Sequence, residues 1–182
     1  MIRQARIALH IVARNRKISR KERLVVARLS RIADDVLLSL SILRPIVRPL
    51  EKRGALAPDD AEKLEYARCL VEFGASHEGR SLLQTIDLDS NPEAVLTYTY
   101  LHTRAWDWVT PLPLLKKLAA KPNIDEDTRL QIELNLGVCN LQGFAHFSVA
   151  QKIFEDVVAA TSTNRHQRSH FTALQLLAQT HF

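Results

Sequence analysis

Glycine is scarce in this 182-residue chain, with only five, and aromatic residues make up 6% of it. The sequence holds no glycine-rich phosphate loop, no Gly-x-Ser-x-Gly turn and no His-Glu-x-x-His pair. The motif-borne chemistries of phosphoryl transfer, acyl transfer and zinc hydrolysis therefore have no foothold. Strand-like alternation of useful length is also missing, which points to an all-α chain. Long apolar runs are absent too: the stretch from Val36 to Leu43 is broken by serines and ends at Arg44-Pro45. That is far short of the ~20 residues that cross a bilayer. The amino terminus is basic and has neither a continuous uncharged core nor a small-residue cleavage site, so no secretion signal is read there and a cytoplasmic location is expected.

Charge is unevenly spread. Residues 1–53 carry 14 Lys and Arg against four Asp and Glu, a balance of +10, whereas residues 54–182 carry 11 against 16, a balance of −5. Two such regions either meet different partners or attract one another. A basic helical module over 1–54 is expected, beginning with a helix from Ile2 to Lys17. Its spacing sets Arg3, Arg6, His10, Arg14 and Lys17 along one face, with Ala5, Ala8, Leu9 and Val12 opposite. Ser19-Arg20-Lys21-Glu22 has the spacing of a capping box and predicts a second helix start. The stripe Val25, Leu29, Ile32, Val36, Leu40, Leu43 keeps helical period for five turns and predicts the core-facing side. Pro45 and Pro49 disturb the pattern, Lys52-Arg53-Gly54 reads as a helix end, and residues 55–57 as a joint. Pro58, Asp59, Asp60 and Glu62 read as the first turn of the next helix.

Beyond that joint the sequence repeats itself. Tyr66-Ala67-Arg68-Cys69-Leu70 running to Gly74 is echoed by Leu136-Gly137-Val138-Cys139-Asn140 running to Gly143. Each copy then brings a small residue followed by bulky apolar ones: Gly79, Leu83 and Ile86 in the first, Ala150, Phe154 and Val157 in the third. The middle copy has Tyr98-Thr99, a turn at Trp106-Asp107-Trp108, and Leu115 and Leu118, with Pro111 at the crossing position, where a helix start is expected. A fourth first-helix follows Ser162-Thr163-Asn164, with Leu177-Ala178 as its large-small pair. The small residues Ala67, Thr99, Gly137 and Ala178 are 32, 38 and 41 positions apart.

This pattern resembles the tetratricopeptide repeat (TPR) family, in which small residues sit where the two helices of a hairpin cross. The resemblance implies a right-handed α-solenoid of TPR-like hairpins over 58–182, with units at about 59–91, 92–123 and 126–163 and a partial fourth at 165–182. It also implies a protein-interaction adaptor that takes a partner segment in a concave groove formed by the first helices. Carried over by position, the groove residues are Leu64, Arg68 and Val71, then Leu96, Tyr100, Thr103 and Arg104, then Leu134, Asn135, Val138 and Gln142. The lysines and asparagines with which some members clamp a carboxylate-ended chaperone tail are replaced here by Leu64 and Arg68, Thr97, and Gln131 and Asn135. That particular ligand is not expected.

The competing reading is a regulator whose basic amino-terminal helices touch nucleic acid or an anionic membrane surface while the repeats sense a partner. It has no aromatic interleaving to support base stacking. The unfinished fourth copy would leave Leu174, Leu177 and Ala178 uncovered. A longer parent protein, a fold-back of the last helix or self-association with a second copy would each cover them. Cys69 and Cys139 occupy equivalent repeat positions, where a small apolar filler is wanted, and are read as structural thiols. His166 and His170 share a helix face, but no carboxylate or cysteine at a neighbouring turn completes a metal site. Asp125-Glu126-Asp127 reads as a helix start. No enzyme, metal or cofactor is expected.

Overall fold

The computed structural model describes residues 2–15, 17–49, 56–162 and 166–180. Helices are α1 (Ile2–Ala13), α2 (Arg20–Ile32), α3 (Val36–Val47), α4 (Asp60–Phe73), α5 (Ser76–Leu83), α6 (Pro92–Arg104), α7 (Leu112–Ala119), α8 (Glu126–Val138), α9 (Phe147–Ala160) and α10 (Gln167–Gln179). A π turn, Cys139–Gly143, continues α8. No strand occurs among the described residues. They fall into two compact units, Met1–Asp87 and Leu88–Phe182, which are described separately.

Helix starts are written in short polar side chains. Ser19 and Asp59 each accept from the amide three residues on, at Glu22 and Glu62, and those glutamates reach back to complete a capping box. Asp35, Asn91 and Asp125 cap α3, α6 and α8 by accepting from Leu38, Ala94 and Thr128. Each bond satisfies an amide that the first turn leaves without an intrahelical partner. Helix α4 ends at Gly74 with φ 97, a left-handed cap that glycine adopts without strain.

In the first unit, Val26, Ala27, Leu38, Ile42, Leu43, Tyr66 and Leu70 form the core, with Leu9 and Ala13 of α1 packed against it. Helix α1 stops at Ala13, short of the expected Lys17, because Asn15 Oδ1 accepts from the Lys17 amide at 3.0 Å and turns the chain locally. The five-turn helix expected from Val25 to Leu43 is two helices, split at Ala33-Asp34-Asp35, where Asp34 has φ 61. The expected core stripe also faces outward in its α2 part: Val25, Leu29 and Ile32 are 54%, 48% and 71% exposed, while Val26, Ala27 and Ser30 are buried.

Charge decides the rotation of α2. Helix α4 buries two carboxylates, Glu62 and Glu65, and α2 supplies their partners. Arg20 binds Glu62 through Nε and Nη2, both at 2.5 Å. Arg31 Nε binds Glu65 at 2.6 Å, and its Nη1 binds Glu72 at 2.9 Å. Turning the apolar stripe inward would strand two buried carboxylates, at several kcal/mol each. Burial alone would raise the Glu62 carboxyl, but hydrogen bonds from Arg20 and the Asp59 amide hold it below its ordinary value. Much of the basic amino-terminal charge is thus spent on the first hairpin, α4–α5. Arg20 also donates to the Ala57 carbonyl at 2.7 Å, fastening part of the expected joint. The expected helix end at 52–54 lies outside the described residues.

In the second unit one cluster of Val95, Leu115, Leu118, Ile132 and Cys139 fills the space around α6, α7 and α8. Another, of Leu130, Leu134, Leu141, Ala150, Phe154, Val157 and Ala173, joins α8, α9 and α10. Helix α7 begins immediately after Pro111, as its sequence position suggested. In the first three copies the small residue is buried, at Ala67, Thr99 and Gly137. In α10 the buried small residue is Ala173, whereas the expected Ala178 is exposed. A small side chain is needed only where another helix crosses, and in α10 that point lies five residues earlier than the sequence pattern placed it.

Candidate groove on the first helices of the carboxyl-terminal unit

Three first-helices, α6, α8 and α10, line one open cavity of about 440 Å³. Tyr100 comes from α6; Gln131, Leu134, Asn135 and Val138 from α8; Arg168, Ser169, Thr172 and Leu176 from α10. Spacings of three and four along α8 (131, 134, 135, 138) and α10 (168, 169, 172, 176) put these residues on one face of each helix. Leu134, Val138 and Leu176 also touch the core, so the apolar floor is fixed from behind. Tyr100 is held from its own helix: Arg104 Nη1 donates to the Tyr100 hydroxyl at 3.0 Å, and the guanidinium lies 5.7 Å from the ring centroid. Asn135 Nδ2 donates to the Gln131 carbonyl at 2.7 Å, which orients its Oδ1 as an open acceptor.

Of the groove residues inferred from repeat position, Tyr100, Leu134, Asn135 and Val138 meet in this cavity. Leu96 packs against the α6–α8 core, and Thr103 turns its hydroxyl to the Tyr100 carbonyl. Arg104 supports Tyr100 from the flank, and Gln142 is exposed on the π turn. Leu64 and Val71 belong to the other unit and are core residues, 2% and 4% exposed, so they offer no open face. Arg68 Nη1 lies 4.0 Å from Glu65 Oε2. The contributions of α10, Arg168, Ser169, Thr172 and Leu176, were not expected from the sequence: counted from Ala178, the positional rule falls on Gln175 and Gln179 instead.

Elsewhere the residues singled out by sequence have settled roles. Arg6 binds the Ala33 carbonyl and Asp34, and His10 binds Asp35 at 2.9 Å; Arg3, Arg14 and Lys17 are exposed. Cys69 and Cys139 are buried, unpaired thiols, and burial pushes them up to about 12 and about 11. His166 does have carboxylate neighbours: Nδ1 meets Asp127 at 2.7 Å and Nε2 meets Glu126 at 3.2 Å. The sequence could not show this, because residues about forty positions apart are joined only by the packing of α10 on α8. Each carboxylate takes a different ring nitrogen, and His170 bonds Thr161 at 3.0 Å. No group of three potential metal ligands converges among the described residues. No helix among them is long and apolar enough to cross a membrane.

No protein-family model matches the chain. No curated protein matches it either. A solved structure named MamA MSR-1 C2, of a TPR-containing protein, superposes with a TM-score of 0.58 at 17% identity, over 89% of this chain and 92% of that one. The fold is a TPR-like helical repeat.

Proposed function

We propose that the chain is a protein-interaction adaptor and that a partner segment lies in the groove formed by α6, α8 and α10. The observation that carries this reading is the cavity of about 440 Å³ lined only by first-helices of successive repeats. Its mechanism is binding by a preformed surface, which spares the ordering cost that a mobile site incurs on association. Tyr100, steadied by Arg104, supplies a rigid amphipathic anchor of the type that dominates interface energetics. Leu134, Val138 and Leu176 supply apolar contact. Asn135, Gln131 and Arg168 orient the backbone and polar side chains of the segment.

The test is affinity capture from native lysate at two salt concentrations, with and without nuclease, comparing the wild type with a Tyr100→Ala, Val138→Glu double variant. A protein partner that survives nuclease and salt, and whose recovery falls at least about ten-fold with the variant, supports the groove; that factor corresponds to about 1.4 kcal/mol. Recovery of the same partner by the variant removes the groove from the account. Capture of nucleic acid alone, lost at high salt, moves the function to the amino-terminal helices.

A further inference from the structure

The first unit contains a second candidate site that the TPR groove does not involve. Helices α1, α2 and α3 surround an open cavity of about 550 Å³. Its apolar wall is Leu37, Leu38, Ile42 and Pro45 of α3 together with Ala13 of α1, and Arg14 and Arg23 stand at its edge. Leu38 and Ile42 are anchored in the core, whereas Leu37 is largely exposed.

Arg6, Arg20, Arg31 and Arg48 each contact a carboxylate within the unit, and Arg28 lies 3.8 Å from Glu65. Arg3, Arg14, Arg23 and Arg44 have no carboxylate partner among the described residues, and of these Arg14 and Arg23 line the cavity. One acid lines the cavity, Asp35, and both its oxygens are engaged: Oδ2 by His10 at 2.9 Å and Oδ1 by the Leu38 amide at 3.1 Å. The lining therefore sets two guanidinium groups against the single carboxylate of Asp35 beside an apolar wall, a net positive site inside a segment whose charge balance is already +10 from 14 basic and four acidic residues. A second copy of the same surface would bring like charges together.

We propose that this cavity docks an acidic amphipathic segment of a partner protein, with carboxylates on Arg14 and Arg23 and an apolar side chain against Leu37, Leu38 and Ile42. Guanidinium–carboxylate pairing sets orientation and speeds encounter, while the apolar wall supplies contact area that salt does not screen.

The test uses a fluorescein-labelled helical peptide with leucines on one face and glutamates flanking them, and a control with lysine for every glutamate. Anisotropy is followed with the full chain. The glutamate peptide is expected to bind and the lysine peptide not to. Arg14→Glu with Arg23→Glu is expected to weaken binding about ten-fold or more, as truncating charged interface pairs does. Lys152→Glu, exposed on α9 of the other unit, is expected to leave it unchanged. Where charge reversal lowers the folded fraction, the Arg14→Gln, Arg23→Gln pair gives the same reading with volume retained. No binding, equal binding of both peptides, or indifference to the arginine variants overturns the proposal. So does binding to phosphatidylserine vesicles that the glutamate peptide fails to compete, which would make the surface a lipid contact.

Discussion

Gly137 lies directly against the ring of Phe154: a Cβ at position 137 would come to 3.0 Å or less from three of its ring carbons. Helices α8 and α9 cross there at a separation that only a missing side chain permits.

Gly137→Ala is therefore expected to destabilise the chain, although alanine is the better helix former. Overpacking at a well-filled crossing costs about 1–3 kcal/mol. Chemical denaturation should show the loss, and Phe154→Leu in the same chain should recover part of it. Additive losses in the double variant would mean that the two positions are not coupled.

The pairing of α2 with α4 predicts a larger effect. Arg31→Met leaves Glu65, which is fully buried, without its closest partner, and about 3–5 kcal/mol is the cost of breaking such a pair from one side. Replacing Arg31 and Glu65 together by methionine and leucine should restore most of that loss. A double variant as unstable as the single one would show that the arginine matters for something other than neutralising Glu65.

Acid should act through Glu62. Its carboxyl is depressed in the folded chain, so its contribution is present above the ordinary glutamate value of about 4.3 and is lost as pH falls through the folded value. Thermal midpoints followed downward from neutral pH should fall more steeply for wild type than for Arg20→Gln, which lacks the guanidinium that holds the carboxylate. Parallel curves would exclude this pair as the source.

The two thiols shift the other way. Cys69 and Cys139 are raised to about 12 and about 11, whereas an unfolded cysteine ionises near 8.5. Their contribution is intact below about 8.5 and falls as pH rises above it, because only the unfolded chain then releases the protons. At mildly alkaline pH, alkylation of the native protein should be slow and should reach the denatured rate only on unfolding. Rapid native labelling of either residue would contradict its burial.

The turn after α6 carries a strained residue. Trp106 adopts φ 60 and is 80% exposed, while Asp107 holds the turn through His102 at 2.7 Å and the Thr110 amide at 3.0 Å. Trp106→Gly should raise stability by up to about 1 kcal/mol, since glycine adopts this conformation without the Cβ penalty. A loss instead would show that the edge contact of its indole with Trp108, ring centroids 6.2 Å apart, outweighs the strain relieved.

Features encoded within a few residues were legible in the sequence. The Ser19 box, the helix starts at Pro111 and Asp125 and the crossing residues Ala67, Thr99 and Gly137 follow from capping chemistry and repeat position that a linear reading captures. The inward face of α2 was not legible, because α2 has an apolar stripe and a row of arginines, and carboxylates more than thirty positions away choose between them. The same limit hid the contact of His166 with Asp127. The α8 side of the groove could be read from repeat position, yet the α10 side depends on which residue of that helix meets its neighbour, and there Ala173 replaced the expected Ala178.

Cys139–Gly143 winds as a π turn, which accommodates one residue more than an α turn would. Such a surplus shifts the angular phase of everything after it. Gly137, before the shift, meets Phe154, and Gly143, six residues on, meets Trp108 from the preceding hairpin's turn. The extra residue works like a vernier: it lets one continuous helix satisfy two close contacts whose spacing an unbroken α-helix would miss. Deleting a single residue between 139 and 142 would keep the backbone helical while throwing one of those two glycines out of register.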